Sequence, residues 1–172
     1  MKTLKIVICC IILISITGCD KNETTDIINP DVEEYIEQLK NGEYNSSDLP
    51  AFDSNAIPAL LEYRNETQII TDFPINGISS FWMPECTLGM YVLWTIESIR
   101  AVAIDSKYLI GRFPSQNPAV QKREGGSFIE NSEATQQAIA NAYYNWWYKN
   151  KRKSFGQIKN IDPLENTDYR WH

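Results

Sequence analysis

Two charged residues interrupt an otherwise apolar stretch, "TLGMYVLWTIESIRAVAI": Glu97 and Arg100. Three apart, they share one face of a helix, and neither can be buried cheaply unless paired. Two chemistries fit. One is a ligand-binding pair in a groove. The other is a structural ion pair, or a capping contact to irregular loops rich in carbonyls. Just ahead, Glu85-Cys86 raises the question of a thiol nucleophile, which needs a general base, usually histidine. The sole histidine is His172, at a terminal position where side chains are normally mobile. No G-x-S-x-G pattern occurs. Cys86 therefore reads as a small buried residue or an exposed free thiol. One histidine and one unpaired cysteine do not make a zinc site, and none of the 22 acidic residues is flagged by context as a glycosidase pair. The expectation is a non-enzyme with no metal and no cofactor.

Aromatic residues are the second chemical resource. Trp82, Trp94, Trp146, Trp147 and Trp171 accompany nine tyrosines. Adjacent residues on a helix point about 100° apart, so Trp146 can enter a core while Trp147 stays outside. Trp147, with the loop aromatics Phe81 and Trp82, could offer a platform to a sugar ring or a partner protein. The alternative is core filling in a domain that has no disulfide to help it. The basic run Lys149, Lys151, Arg152 and Lys153 suits the end of a helix dipole.

The first residues carry an address. Lys2 and Lys5 precede an apolar run, Ile6 to Ile16, too short for a bilayer span of roughly 20 residues. Ile16-Thr17-Gly18-Cys19 then resembles the lipobox of bacterial lipoproteins. That resemblance implies cleavage before Cys19 and acylation of Cys19, which becomes the membrane anchor. Each buried methylene contributes about 0.8 kcal/mol, and durable attachment needs more than one chain. Residues 1–18 thus read as a lipoprotein signal peptide, and 19–28 as the lipidated start and a flexible tether. Cleavage removes two of the 16 basic residues and none of the 22 acidic ones, so the mature chain is more acidic than the net −6 of the whole. That balance argues against nucleic acid. Cys9 and Cys10 leave with the signal, so no intramolecular disulfide is expected, and the domain must rest on a hydrophobic core.

Four elements would position these residues. Asn29 and Pro30 start a helix whose apolar positions are Val32, Tyr35, Ile36 and Leu39, and Gly42 stops it. A short helix starts at Asp53. The third, through Glu97 and Arg100, is apolar most of the way round and reads as central. The fourth starts at Ser132 and turns Ala138, Ile139, Ala142, Tyr143 and Trp146 inward. The connection "TQIITDFPINGISSFWMPEC" is too apolar to be solvated and is expected to pack. Ile69-Ile70 could be a strand, though nothing obvious pairs with it. Leu164, Tyr169 and Trp171 argue for a docked tail. The expected fold is all-α: one irregular four-to-five-helix domain over 29–172, with long packed loops. A HEAT-like set of helix pairs is one compatible arrangement, although no fixed repeat is visible.

"IPALLEYRNET", "FPINGISSFWMPECTLGMYVLWTIESIRA", "FPSQNPAV" and the closing "YRWH" resemble a family of uncharacterised bacterial proteins, many of them lipoproteins of Bacteroides-type bacteria. The likeness covers roughly residues 30–172 and implies a helical fold and an envelope location, favouring the outer membrane. It implies no activity and no site residues. The expectation is then a lipid-anchored envelope protein held through Cys19, serving as an accessory or scaffold subunit for a protein partner. The alternatives are a small-ligand or glycan-binding surface lipoprotein, and an immunity-type inhibitor. Candidate contacts are Trp147, Trp82, Phe81, Glu97 and Arg100.

Overall fold

Residues 29–125 and 132–172 are described by a computed structural model. The signal, the lipidation site Cys19 and the tether lie outside the described residues.

The first helix, α1, is Pro30–Asn41. The Asn29 side chain accepts from the amides of Asp31 and Val32, two groups without intrahelical acceptors. Gly42 ends the helix at φ 67°, a left-handed conformation that favours glycine. Val32, Tyr35, Ile36 and Leu39 are all buried. Asp53 caps a single 3-10 turn, Ser54–Ala56, that runs into α2, Ile57–Glu62. Pro58 is tolerated there because the first turn needs no donor from it.

The central helix is α3, Leu88–Ala103, capped by Thr87. Every residue from Leu88 to Ile99 is buried, including Trp94 at 0% exposure. Fully burying one leucine or isoleucine side chain contributes about 1.5–3 kcal/mol, so α3 anchors the core. Only near its end does an apolar residue of α3, Val102, come out to solvent. The next helix, α4, is Glu133–Lys149, capped by Ser132, and its buried side carries Ile139, Ala140, Tyr143 and Trp146. A last short helix, α5, is Phe155–Ile158. Helix α3 packs against both α2 and α4. Among the described residues, no helix is long and apolar enough to cross a membrane.

The architecture is mixed, not all-α. Two small antiparallel sheets of two strands each stand among the helices, and an array built from helix pairs alone does not describe it. In the first, β1 (Ile69–Ile70) pairs with β2 (Cys86–Thr87), which leads directly into α3. The pairing has a physical purpose. Leu88 and Gly89, the first residues of α3, have no intrahelical acceptor for their amides. Leu88 N–H donates to Gln68 O at 2.8 Å and Gly89 N–H to Glu66 O at 2.9 Å. The strand segment therefore closes the start of the central helix.

In the second sheet, β3 (Val120–Lys122) pairs with β4 (Tyr169–Trp171), with Gln121 opposite Arg170. Backbone bonds from His172 N–H to Ala119 O (3.0 Å) and from Arg123 N–H to Asp168 O (2.7 Å) extend it. The tail is docked, as its apolar residues required: Leu164 is buried, while Tyr169 and Trp171 pack partly buried against the core.

The long connection before α3 departs from expectation. Phe73 and Asn76 are buried, but Ile75, Ile78, Phe81 and Trp82 face solvent, Trp82 at 74% exposure. The loop is pinned at its first turn and carries its remaining apolar side chains outward.

Candidate functional site

Glu97 and Arg100 face each other on the last turns of α3. Arg100 donates from Nη2 to Glu97 Oε1 at 2.5 Å and from Nε to Oε2 at 3.0 Å. Their side chains are 9% and 11% exposed. Oε2 also accepts from the Tyr143 hydroxyl at 2.6 Å, and that hydroxyl accepts from Trp171 Nε1 at 2.8 Å. Arg100 Nη1 reaches Lys159 O at 3.2 Å, and Lys159 Nζ returns to Ala103 O at 2.7 Å. One network thus ties α3, α4, β4 and the residue after α5. Burial pulls the Arg100 pKa down, but its hydrogen bond and charge contact with Glu97 outweigh this and leave it raised. Burial, and then the Glu97 charge, push the Tyr143 phenol well up. The pair is satisfied within the fold, as the structural-ion-pair alternative requires.

Beside this network lies an open cleft of about 730 Å³, to which Glu97 and Arg100 contribute. Its second wall is the β3–β4 ribbon. Successive strand residues point to opposite faces. Gln121 and Arg123 are two apart, Arg170 and His172 are two apart, and Gln121 lies opposite Arg170. The ribbon therefore presents all four on one face, and all four line the cleft. The segment after α3 supplies Lys107 and Tyr108, and the loop before it supplies Asn76 and Ile78.

The cleft is built to hold shape. Asn76, 2% exposed, donates to Ser115 O and accepts from Ile78 N–H. Ser115 Oγ accepts from Trp94 Nε1 at 2.7 Å. Arg123 Nη2 donates to Asp162 Oδ2, Leu164 O and Tyr169 O. His172 is no loose end: besides its backbone bonds, its Nδ1 lies 3.1 Å from Asn117 Nδ2 and its ring meets Phe81 edge-on. Burial, and then the Arg170 charge, lower its pKa.

Of the residues singled out from sequence, Glu97 and Arg100 are in the cleft. Phe81 touches its edge through His172, and Trp82 projects from the same loop. Trp147 is not brought to the site. It lies partly buried against the core, its ring 5.8 Å from that of Trp146. Cys86 is buried and donates to Thr87 O, and burial pushes its thiol well above the ordinary range. Gln121, Arg123 and Arg170 were not anticipated. Their one sequence signal is alternation, Gln121-x-Arg123 and Arg170-x-His172, in segments too short to read as strands alone. Among the described residues no three His, Cys, Asp or Glu side chains cluster to hold a metal ion.

A central buried helix, two covering ribbons and an open polar cleft define a small mixed α/β domain. Residues 26–172 match a domain of unknown function, DUF4943, and the chain belongs to that family. No curated protein and no solved structure matches it.

Proposed function

We propose that the chain is a non-catalytic binding protein, anchored in the bacterial envelope through lipid on Cys19 and favouring the outer membrane, that holds a small polar ligand in the cleft. The observation that carries this is the cleft itself. Its volume, about 730 Å³, falls among pockets that accept small ligands, roughly 300–1,000 Å³. Its walls come from elements far apart in sequence, held by bonds that need no ligand. The side chains of Gln116 and Gln121 line it with amides, and Tyr108 with a ring over which Lys107 Nζ lies at 4.9 Å. Lipidation rests on the lipobox-like Ile16-Thr17-Gly18-Cys19.

The test is a thermal-shift screen of saccharides and polar metabolites on the full-length chain in mild detergent. Gln116→Trp, which fills the cleft from an exposed position, is the control. A compound that raises the melting temperature of the wild type and not of Gln116→Trp supports the reading. A screen in which every shift survives Gln116→Trp removes it. For the anchor, Cys19→Ser exported behind a standard cleavable signal peptide is expected to leave the membrane fraction.

A second reading is docking of an envelope protein, as scaffold partner or as the target of an immunity-type inhibitor. It is favoured by the exposed Ile75, Ile78, Phe81 and Trp82 on one loop. Crosslinking in cells, lost on Trp82→Ser and kept in Gln116→Trp, would select it.

A further inference from the structure

Nine large apolar or aromatic side chains are exposed among the described residues, and six of them crowd two loops. Ile75, Ile78, Phe81 and Trp82 stand on the loop before α3, and Tyr108 and Ile110 on the segment after it. Ile78, Tyr108 and Ile110 all line the cleft, so the two loops flank one opening. Single apolar residues are ordinary on a surface, whereas a grouped patch marks contact with a protein or a membrane. The acidity of the chain is absent from both loops. In a protein of net −6, residues 73–84, FPINGISSFWMP, carry no charged side chain. Residues 106–111, SKYLIG, carry Lys107 alone.

The course of α1 favours the membrane. This helix runs against α3. Near its end, Lys40 O accepts from Gln68 Nε2 at 3.4 Å, beside the Leu88 amide that Gln68 O holds. Nearer its start, the Tyr35 hydroxyl meets Thr95 Oγ1 at 2.9 Å. Pro30 therefore lies toward the C-terminal end of α3, the end that carries the cleft. Cys19 to Ile28 is ten residues, and ten residues reach at most about 36 Å. A domain as long as 29–172 has a radius of gyration of about 15 Å. The connection to the proposed anchor is thus no longer than the domain is wide.

We infer that these two loops seat the domain on the bilayer that holds the Cys19 anchor, with Ile78, Trp82, Tyr108 and Ile110 entering the headgroup layer. Tyrosine and tryptophan suit that layer, because each has an apolar body and a polar tip. Lys107, whose Nζ lies 4.9 Å over the Tyr108 ring, adds one positive charge toward anionic headgroups. A contact made within reach of a tether is intramolecular, so a few side chains suffice where a free protein would need more. The mouth of the cleft, bordered by Ile78, Tyr108 and Ile110, then opens at the headgroup layer, and a ligand enters from that side. This rests on the lipid anchor proposed above and adds which face of the domain meets the membrane.

The protein purified from membranes in mild detergent would be reconstituted into vesicles of phosphatidylethanolamine and phosphatidylglycerol, with and without brominated acyl chains. Flotation reads the anchor, and bromine quenching of tryptophan reads the face. Trp82 is the one exposed tryptophan of the five. The wild type is therefore expected to show a quenched component that is lost in Trp82→Ser. Tyr108→Asp keeps Trp82 but puts a carboxylate on the other loop, and is expected to float like the wild type and lose the same component. Both positions are well exposed, at 74% and 66%, and equal denaturation midpoints verify that the variants fold. Protein that floats with quenching equal in wild type and Trp82→Ser overturns the inference and leaves the anchor standing. Quenching of Trp82 indifferent to Tyr108→Asp overturns the two-loop seat. Absent quenching, together with a cellular crosslink lost in Trp82→Ser, overturns it in favour of a protein partner. Protein that does not float removes the anchor and the inference together.

Discussion

At the N-terminal end of α3, Thr87 and Gly89 meet Gln136 and the carbonyls of Arg64 and Glu66 with no space between them. Thr87 Oγ1 donates to Gln136 Oε1 at 2.7 Å, and Gln136 Nε2 donates to Arg64 O and Glu66 O. A Cβ on Gly89 would stand 2.6 and 2.8 Å from those two carbonyl oxygens. At the C-terminal end, Glu97 and Arg100 are equally well bonded, but a cavity of about 730 Å³ lies beside them. Buried polar groups close the fold at one end and wall an opening at the other. Polar burial alone is therefore no sign of a site. What distinguishes the two ends is the unfilled volume beside the second.

If the C-terminal network is chiefly structural, breaking it should cost the most. Glu97→Ala leaves the Arg100 guanidinium buried without its carboxylate, and such a loss typically costs about 3–5 kcal/mol. Denaturant unfolding measures it. The double substitution Glu97→Leu, Arg100→Leu should recover part of that loss, because no unpaired charge remains. A Glu97→Ala protein as stable as wild type would mean the pair is not the keystone of this end.

The N-terminal end is tested by Gly89→Ala. Overpacking against backbone typically costs about 1–3 kcal/mol, and here the obstacles are carbonyls that themselves hold Gln136 and the Gly89 amide. A melting temperature unchanged by Gly89→Ala would show that the 64–66 segment yields easily. The comparison between the two ends would then lose its rigid member.

Alkaline titration sharpens the picture of the core between them. Burial raises the pKa of Tyr35, Tyr91, Tyr143 and Cys86 above their ordinary values, 10.0 for the phenols and 9.0 for the thiol. A group whose folded pKa is raised contributes stability that is complete below its unfolded pKa. That contribution is lost as pH rises, because the unfolded chain releases its proton first. From these groups, stability should hold flat up to about pH 8 and fall above pH 9–10, thiol before phenols. Denaturation midpoints between pH 7 and 11 measure it. The thiol should also resist alkylation until the protein unfolds.

Helices α1, α2 and α4 were legible because each carries its own punctuation, and α3 because its apolar run is conspicuous. Asn29 and Gly42, Asp53 and Ser132 mark starts or stops within one turn of the residues they govern, and the apolar spacing of α1 needs no distant partner; the single-turn α5 was not read. The sheets were not legible, because their logic is non-local. Ile69-Ile70 finds its partner across a loop at Cys86-Thr87, and Val120–Lys122 waits for Tyr169–Trp171 at the far end of the chain. Two or three residues show no period that can be separated from chance. The site followed suit. Glu97 and Arg100 could be flagged because charge on an apolar helix is conspicuous. Arg123, Arg170 and His172 look like solvated charges until the β3–β4 register puts them on one face. The outward turn of Phe81 and Trp82 was one of two readings the sequence left open: burial is the default for such side chains, and only the anchoring of Phe73 and Asn76 leaves the rest of the loop outside.

The smallest effect is expected where the molecule departs most from that default. Trp82 is 74% exposed, and surface substitutions of this kind usually change stability by about 0.5 kcal/mol or less. Trp82→Ser should therefore unfold with the wild type. The same holds for Ile78→Ser at 65% exposure. Measured with a compound found in the thermal-shift screen, the two should separate. Ile78 lines the cleft and Trp82 does not, so Ile78→Ser should weaken a cleft ligand modestly while Trp82→Ser leaves it alone. A loss of stability in Trp82→Ser would mean the loop packs more closely in solution, and the apolar rim would cease to be a surface on offer. Unchanged stability with a lost crosslink would instead give the loop a partner of its own. The two readings of the molecule would then divide between the cleft and its rim.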